Sequence, residues 1–189
     1  MGRPKLLLGW RGATVIDTVL DAWLASRVDE VVVVVRPQDK ALAARCQRPG
    51  VSVLVPPEAP AEMKISVQLA VAHLKQVRMP AATDAWLLAP ADLPQLSEQL
   101  IDHVLAAYQP ELPRIVVPQV QGRRGHPVLF PWRLVDELDQ LGPDEGVSAV
   151  VKRHPPLQVD WGDDSGFQDL DTPEDYRRLA GPSESRGGD

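Results

Sequence analysis

Residues able to handle phosphate, a divalent cation or an acidic acceptor recur at separate places in this chain. The first is Met1-Gly2-Arg3-Pro4-Lys5, followed by Leu6-Leu7-Leu8. Glycine and proline set a turn, and the lysine beyond it supplies a mobile point charge suited to phosphate oxygens; a disordered basic N-terminus is the simpler account. The second is Ala89-Pro90-Ala91-Asp92-Leu93-Pro94, where prolines on both sides fix a loop around one carboxylate. Asp92 lies just past an apolar run that reads as a strand, the position at which open α/β sheets bind ligands. It can hold Mg2+ against the phosphates of an NTP, or serve as an ordinary turn aspartate. Asp171, in Asp169-Leu170-Asp171-Thr172, is a second candidate ligand or a lead-in to the helix cap at Thr172. Arg123-Arg124-Gly125-His126 can set a basic pair against a phosphate, with glycine allowing close backbone approach, or form a solvated hairpin loop. Ser66 opens a helical stretch after Pro56-Pro57 and can sit near an anion at a helix start, or simply cap it.

These residues must be positioned by the elements between them. Short β-branched runs alternate with amphipathic stretches, the pattern of an α/β fold with a parallel sheet. Residues 13–25 read as a helix with Val15, Val19, Ala22 and Trp23 on one face. The run 30–36 reads as a strand whose consecutive valines predict burial on both faces. A helix over 38–46, a strand over 51–55, a helix over 63–77 and a strand over 85–89 follow. Residues 97–108 form a helix with Ser97 at its start and Glu98 in its first turn. Strands are expected at 114–118 and 127–130, flanking the basic loop 121–126. Helices over 132–141 and 144–154, and strands over 157–161 and 167–170, complete the pattern. Thr172-Pro173 opens a last helix, and residues 181–189 form a polar, glycine-rich tail expected to be disordered. Asp163-Asp164 reads as a solvated turn, and His73, His103 and His154 as structural.

Four segments together resemble the MobA-like NTP transferases. Met-Gly-Arg-Pro-Lys matches the latter half of the family's A-A-G-x-S-x-R-M-G-x-P-K signature. A-P-A-D-L-P at 89–94, G-R-R-G-H-P-V-L-F at 122–130 and D-L-D-T-P-E-D at 169–175 follow in the family's order. The resemblance implies one nucleotidyltransferase domain over 1–180, a three-layer α/β/α Rossmann-like fold with a mostly parallel sheet. It implies nucleotide binding by Gly2, Arg3, Lys5, Ser66 and Asp92, catalysis by Lys5 and Asp92, and Mg2+ on Asp92 and Asp171. The G-H-P-V-L-F segment is similar to the cytidylyltransferase branch, which implies an acceptor pocket at Arg124, Gly125 and His126. CTP and molybdopterin are the implied substrates, and a molybdenum hydroxylase the implied recipient of the product. Family members often carry glycine and then serine here; this chain has Glu62 at the expected glycine and keeps Ser66.

One departure has consequences. The A-A-G-x-S-x-R loop and the strand before it are absent from the sequence, which would leave two neighbouring strands unpaired. The expectation is a true start upstream of Met1; the competing expectation is a truncated chain that has lost catalysis and only binds and delivers cofactor. A nucleotide-sugar-dependent transferase of similar fold, with Asp169-Leu170-Asp171 as its metal motif, is a further alternative.

Composition narrows the partners. The chain has 189 residues, 44% hydrophobic and 24% charged, with a net charge of -6. The acidic balance argues against nucleic acid and anionic membranes. One cysteine, Cys46, cannot form an internal disulfide and fits a reducing compartment. With no signal peptide and no apolar run long enough to span a bilayer, a cytoplasmic protein is expected.

Overall fold

The computed structural model describes residues 4–162. The expected strand at 167–170, the last helix, the tail and Asp163-Asp164 lie outside the described residues.

Pro4 leads into a short 3-10 turn, Lys5–Leu7, and then a hairpin of β1 (Gly9–Trp10) and β2 (Ala13–Thr14). Arg11 and Gly12 both take left-handed backbone, φ 46° and 90°, the requirement of a two-residue turn that matches strand twist. The hairpin feeds α1 (Val15–Ala25). Thr14 caps it: its hydroxyl oxygen accepts from the Asp17 amide, and the Asp17 carboxylate accepts from the Thr14 amide at 3.1 Å.

A βαβ unit follows: β3 (Val31–Val34), α2 (Lys40–Cys46) and β4 (Val51–Leu54), the strands parallel with Val31 opposite Val51 and Val34 opposite Leu54. Then come α3 (Met63–Val77), β5 (Ala85–Leu88) and α4 (Glu98–Ala106), whose N-cap Ser97 accepts from the Leu100 amide. The remaining elements are β6 (Val116–Val120), β7 (Arg123–Arg124), β8 (Val128–Pro131), a 3-10 helix at Trp132–Leu138, α5 (Ser148–Arg153) and β9 (Leu157–Asp160).

The sheet is mixed. Strands β5, β8, β6 and β7 run in that order with antiparallel pairing, and β9 joins β6 in parallel. Among the described residues β3 pairs with β4 alone. Its valines differ from the expectation of burial on both faces: Val31 and Val35 are buried, whereas Val32, Val33 and Val34 are half-exposed. A strand hydrogen-bonded along one edge has fewer neighbours to cover the residues in its middle.

Two further segments depart from the sequence reading. Within the helix expected over 132–141, Trp132–Leu138 forms a 3-10 rather than an α-helix. The buried residues there are Trp132, Val135 and Leu138, a spacing of three that matches the 3-10 period and not 3.6. The helix expected over 144–154 starts only at Ser148, because Gly142 to Gly146 folds into a turn in which Glu145 accepts from the Gly142 amide at 2.9 Å. The basic loop is a tight hairpin: Gln121 and Gly122 carry φ 50° and 78°, and Val120 pairs with Arg123.

Helix α1 joins the layers. Ile16 and Leu20 pack with Val31, Val35, Leu42 and Cys46, while Val19 packs with Leu93, Leu96, Leu100 and Leu129. The same helix buries a charge, since the Asp17 side chain is only 5% exposed. It receives Arg45 Nε at 2.8 Å and the terminal nitrogens of Arg45 and Arg48. Burial pushes the Asp17 carboxyl up, but the bonds from Arg45 and Thr14 and the Arg45 charge outweigh it and hold the group well below the usual carboxylate range. Cys46 beside it is fully buried, and burial pushes its thiol up.

A depressed carboxyl stabilises the fold above its unfolded pKa of about 3.9 and loses that contribution as pH falls below it. Asp17→Ala should therefore cost about 3 kcal/mol at neutral pH, since it removes both the cap and the partner of two arginines. Asp17→Asn should flatten the fall in stability below about pH 4. Urea unfolding at a series of pH values checks both; an unaltered acid limb in Asp17→Asn would refute the assignment.

Candidate functional site

The candidate residues gather where β3 and β5 end. Strand β5 stops at Leu88, and Leu93 and Leu96, 2% and 3% exposed, anchor the following loop in the core. With apolar anchors behind it and prolines on both sides, Asp92 is held at the surface of that edge. Lys5 reaches it from the N-terminal turn, its Nζ donating to Asp92 Oδ2 at 2.7 Å across 87 positions of sequence. The two side chains are 30% and 27% exposed, open enough for a ligand to reach either.

His126 comes to the same strand end, with Nδ1 3.3 Å from the carbonyl oxygen of Leu88. The neighbouring Gly125 donates its amide to Pro118 at 2.8 Å, and the His126–Pro127 peptide is cis. Arg124 stands on β7, exposed, opposite Gln119. The structure thus sets Lys5, Asp92 and His126 around the end of β5, with Arg124 and Gly125 leading into that corner. Gly2, Arg3 and Asp171 lie outside the described residues.

Ser66 is placed elsewhere on the same edge. It lines a cleft of about 310 Å3 between the end of β3 and the start of α3, together with Val34, Arg36, Pro60, Glu62 and Met63. Beneath this cleft is a buried cation that sequence reasoning did not single out. Lys64, 8% exposed, donates to the carbonyls of Gly142 and Pro143 at 2.7 and 2.6 Å and lies 3.2 Å from Glu62 Oε2. Arg36 was also missed, although it follows the valine run directly and thus occupies a strand end as Asp92 nearly does. The histidines expected to be structural make local contacts: His73 lies 3.6 Å from Glu30 and His154 2.6 Å from Glu137, and His103 packs on Trp161.

The donor chemistry at Asp92 suits a hard cation. Mg2+ keeps several waters and needs only one or two carboxylates when substrate phosphates supply the rest. Among the described residues no cluster of three acidic, histidine or cysteine side chains forms a cage for a metal. No described helix is long and apolar enough to cross a membrane.

The model of the MobA-like NTP transferase domain matches residues 1–158. The chain belongs to that family. This MobA-like chain is 27% identical over 196 residues to the nicotine blue oxidoreductase of Paenarthrobacter nicotinovorans, covering 95% of the chain and 89% of that protein. Its fold matches Rv0371c of Mycobacterium tuberculosis H37Rv with a TM-score of 0.79 and 29% identity, over 95% of the chain and 90% of the other. Rv0371c has also been solved in complex with manganese, which matches at a TM-score of 0.77. The molybdopterin-guanine dinucleotide biosynthesis protein A of Archaeoglobus fulgidus shares the fold at a TM-score of 0.65 and 15% identity, with 95% and 90% covered. The architecture is that of the nucleotide-diphospho-sugar transferases.

A part-exposed ion pair contributes little to stability, typically under about 1 kcal/mol. Lys5→Ala should therefore unfold within that margin of the unaltered protein, measured by urea denaturation. A loss of several kcal/mol would mean that the pair serves the fold rather than a ligand.

Proposed function

We propose that this MobA-like protein is a molybdenum-cofactor cytidylyltransferase, transferring CMP from CTP to the terminal phosphate of molybdopterin with release of pyrophosphate. The observation that carries the reading is the Lys5–Asp92 contact at the end of β5, with His126 at the same strand end. A cation and a hard oxygen donor side by side suit a triphosphate and its metal ion.

In this reading Lys5 exchanges its bond to Asp92 for phosphate oxygens and offsets the charge that builds as the α-phosphorus is attacked in line. Asp92, with Asp171, would hold Mg2+, which neutralises the phosphates and orients the pyrophosphate leaving group. Gly2 and Arg3 would add backbone and cationic contacts to the triphosphate. Ser66 borders the cleft that takes the nucleoside. Arg124, Gly125 and His126 would receive the acceptor, whose phosphate is the nucleophile, so no covalent enzyme intermediate is required. The manganese complex of Rv0371c and the named role of the Archaeoglobus protein support the metal and the acceptor; the likeness of G-H-P-V-L-F to cytidylyltransferases supports CTP. The product would pass to a molybdenum hydroxylase.

With CTP, Mg2+ and molybdopterin, the protein should release pyrophosphate. Asp92→Asn should lower that rate by about 100-fold or more, the usual effect of losing one group that stabilises transition-state charge. His126→Ala should raise the acceptor KM more than the CTP KM. Because the Paenarthrobacter relative is named for a redox activity, pyrophosphate release is the decisive readout. Its absence, with pterin still bound and insensitive to Asp92→Asn, would replace the enzyme by a delivery module.

A further inference from the structure

The cleft at the end of β3 holds two side chains whose chemistry is complementary to a heterocycle. Arg36 sits at its mouth, exposed, and among the described residues its guanidinium makes no ion pair or hydrogen bond. Glu62, the N-cap of α3, lines the same cleft with its side chain 55% exposed. Its Oε2 faces Lys64 at 3.2 Å, and among the described residues Oε1 accepts no hydrogen bond.

Lys64 accounts for why Glu62 stays in place. The ammonium is buried and fixed by the carbonyls of Gly142 and Pro143, so it cannot follow a mobile carboxylate outward. A buried cation requires a nearby negative charge, and Glu62 supplies one at the cleft wall. One carboxylate oxygen thus lies against the ammonium, and the carboxylate of this cleft-lining residue is a pure acceptor.

We infer that Glu62, positioned by Lys64, reads the exocyclic amine of cytosine, and that Arg36 donates to the carbonyl oxygen of the same base. The inference rests on the nucleotidyl-transfer reading and names the specificity element of its nucleotide subsite. Cytosine and uracil have nearly the same shape and differ where Glu62 would act. Cytosine offers an amine to the carboxylate, whereas uracil presents a carbonyl oxygen that repels it. The C2 carbonyl, which Arg36 would contact, is common to both.

The experiment is calorimetric titration of the purified protein with CTP and with UTP in the presence of Mg2+, which needs no acceptor and no turnover. The unaltered protein should bind CTP at least about tenfold tighter than UTP, the scale of one good base-edge contact. Glu62→Gln can turn its amide to donate to the uracil carbonyl, and should bring the ratio close to one. Lys64→Met should shrink the ratio as well, by releasing Glu62. Arg36→Leu should weaken both nucleotides alike and leave the ratio intact. Equal binding of CTP and UTP by the unaltered protein, or an unchanged ratio in Glu62→Gln, would overturn the inference while leaving nucleotide binding standing. If neither nucleotide binds, the nucleotidyl-transfer reading fails and the inference fails with it.

Discussion

Asp17 holds a buried negative charge in the first turn of α1, and residues from two segments of the chain keep it satisfied. Two arginines from the α2 region reach it, and the Thr14 cap closes the remaining side. Helix α1 is also where the apolar layers meet: Ile16 and Leu20 face the β3–β4 unit, and Val19 faces α4 and the larger sheet. The helix that carries this carboxylate thus also carries the packing that joins two sets of strands. Because β3 pairs only with β4 among the described residues, side-chain packing on α1 takes on work that a continuous hydrogen-bonded sheet would otherwise share.

The functional edge inherits its order from that arrangement. The end of β5 and the start of α3 each carry a polar group with its own backing. For Asp92 the backing is Leu93 and Leu96 in the core. For Glu62 it is a buried lysine tied to a turn nearly eighty residues further along the chain. The two devices differ in kind. Apolar anchors fix where the backbone runs, whereas Lys64 fixes where a charge points.

Most of the elements were legible because burial imposes a period. The apolar spacing over 63–77 gave α3 with both ends correct, and the valine run gave β3. Motif order placed Lys5 and Asp92 in one site although no local signal links residues so far apart. Residues 132–141 read as a helix without its type, yet the spacing of three in Trp132, Val135 and Leu138 that marks a 3-10 helix is present in the sequence. Lys64 was not legible, since a lysine at a helix start ordinarily reads as solvated and only the fold brings two carbonyls over it. Arg36 could have been found by applying to the first valine strand the rule that singled out Asp92. Arg11-Gly12 and Gln121-Gly122 show a similar limit: left-handed pairs set both hairpins, but only the glycine of each announces the turn.

The complete burial of Cys46 gives the protein a built-in clock. The thiol sits under α1 beside the Asp17 cluster, and its surroundings disfavour the reactive thiolate. While the seam between α1 and α2 is closed, an alkylating reagent has nothing to modify. Labelling can then proceed only as fast as that seam opens, and with a single cysteine in the chain every labelled molecule marks one such opening. The joint that orders the functional edge thus carries its own chemical record of how often it comes apart.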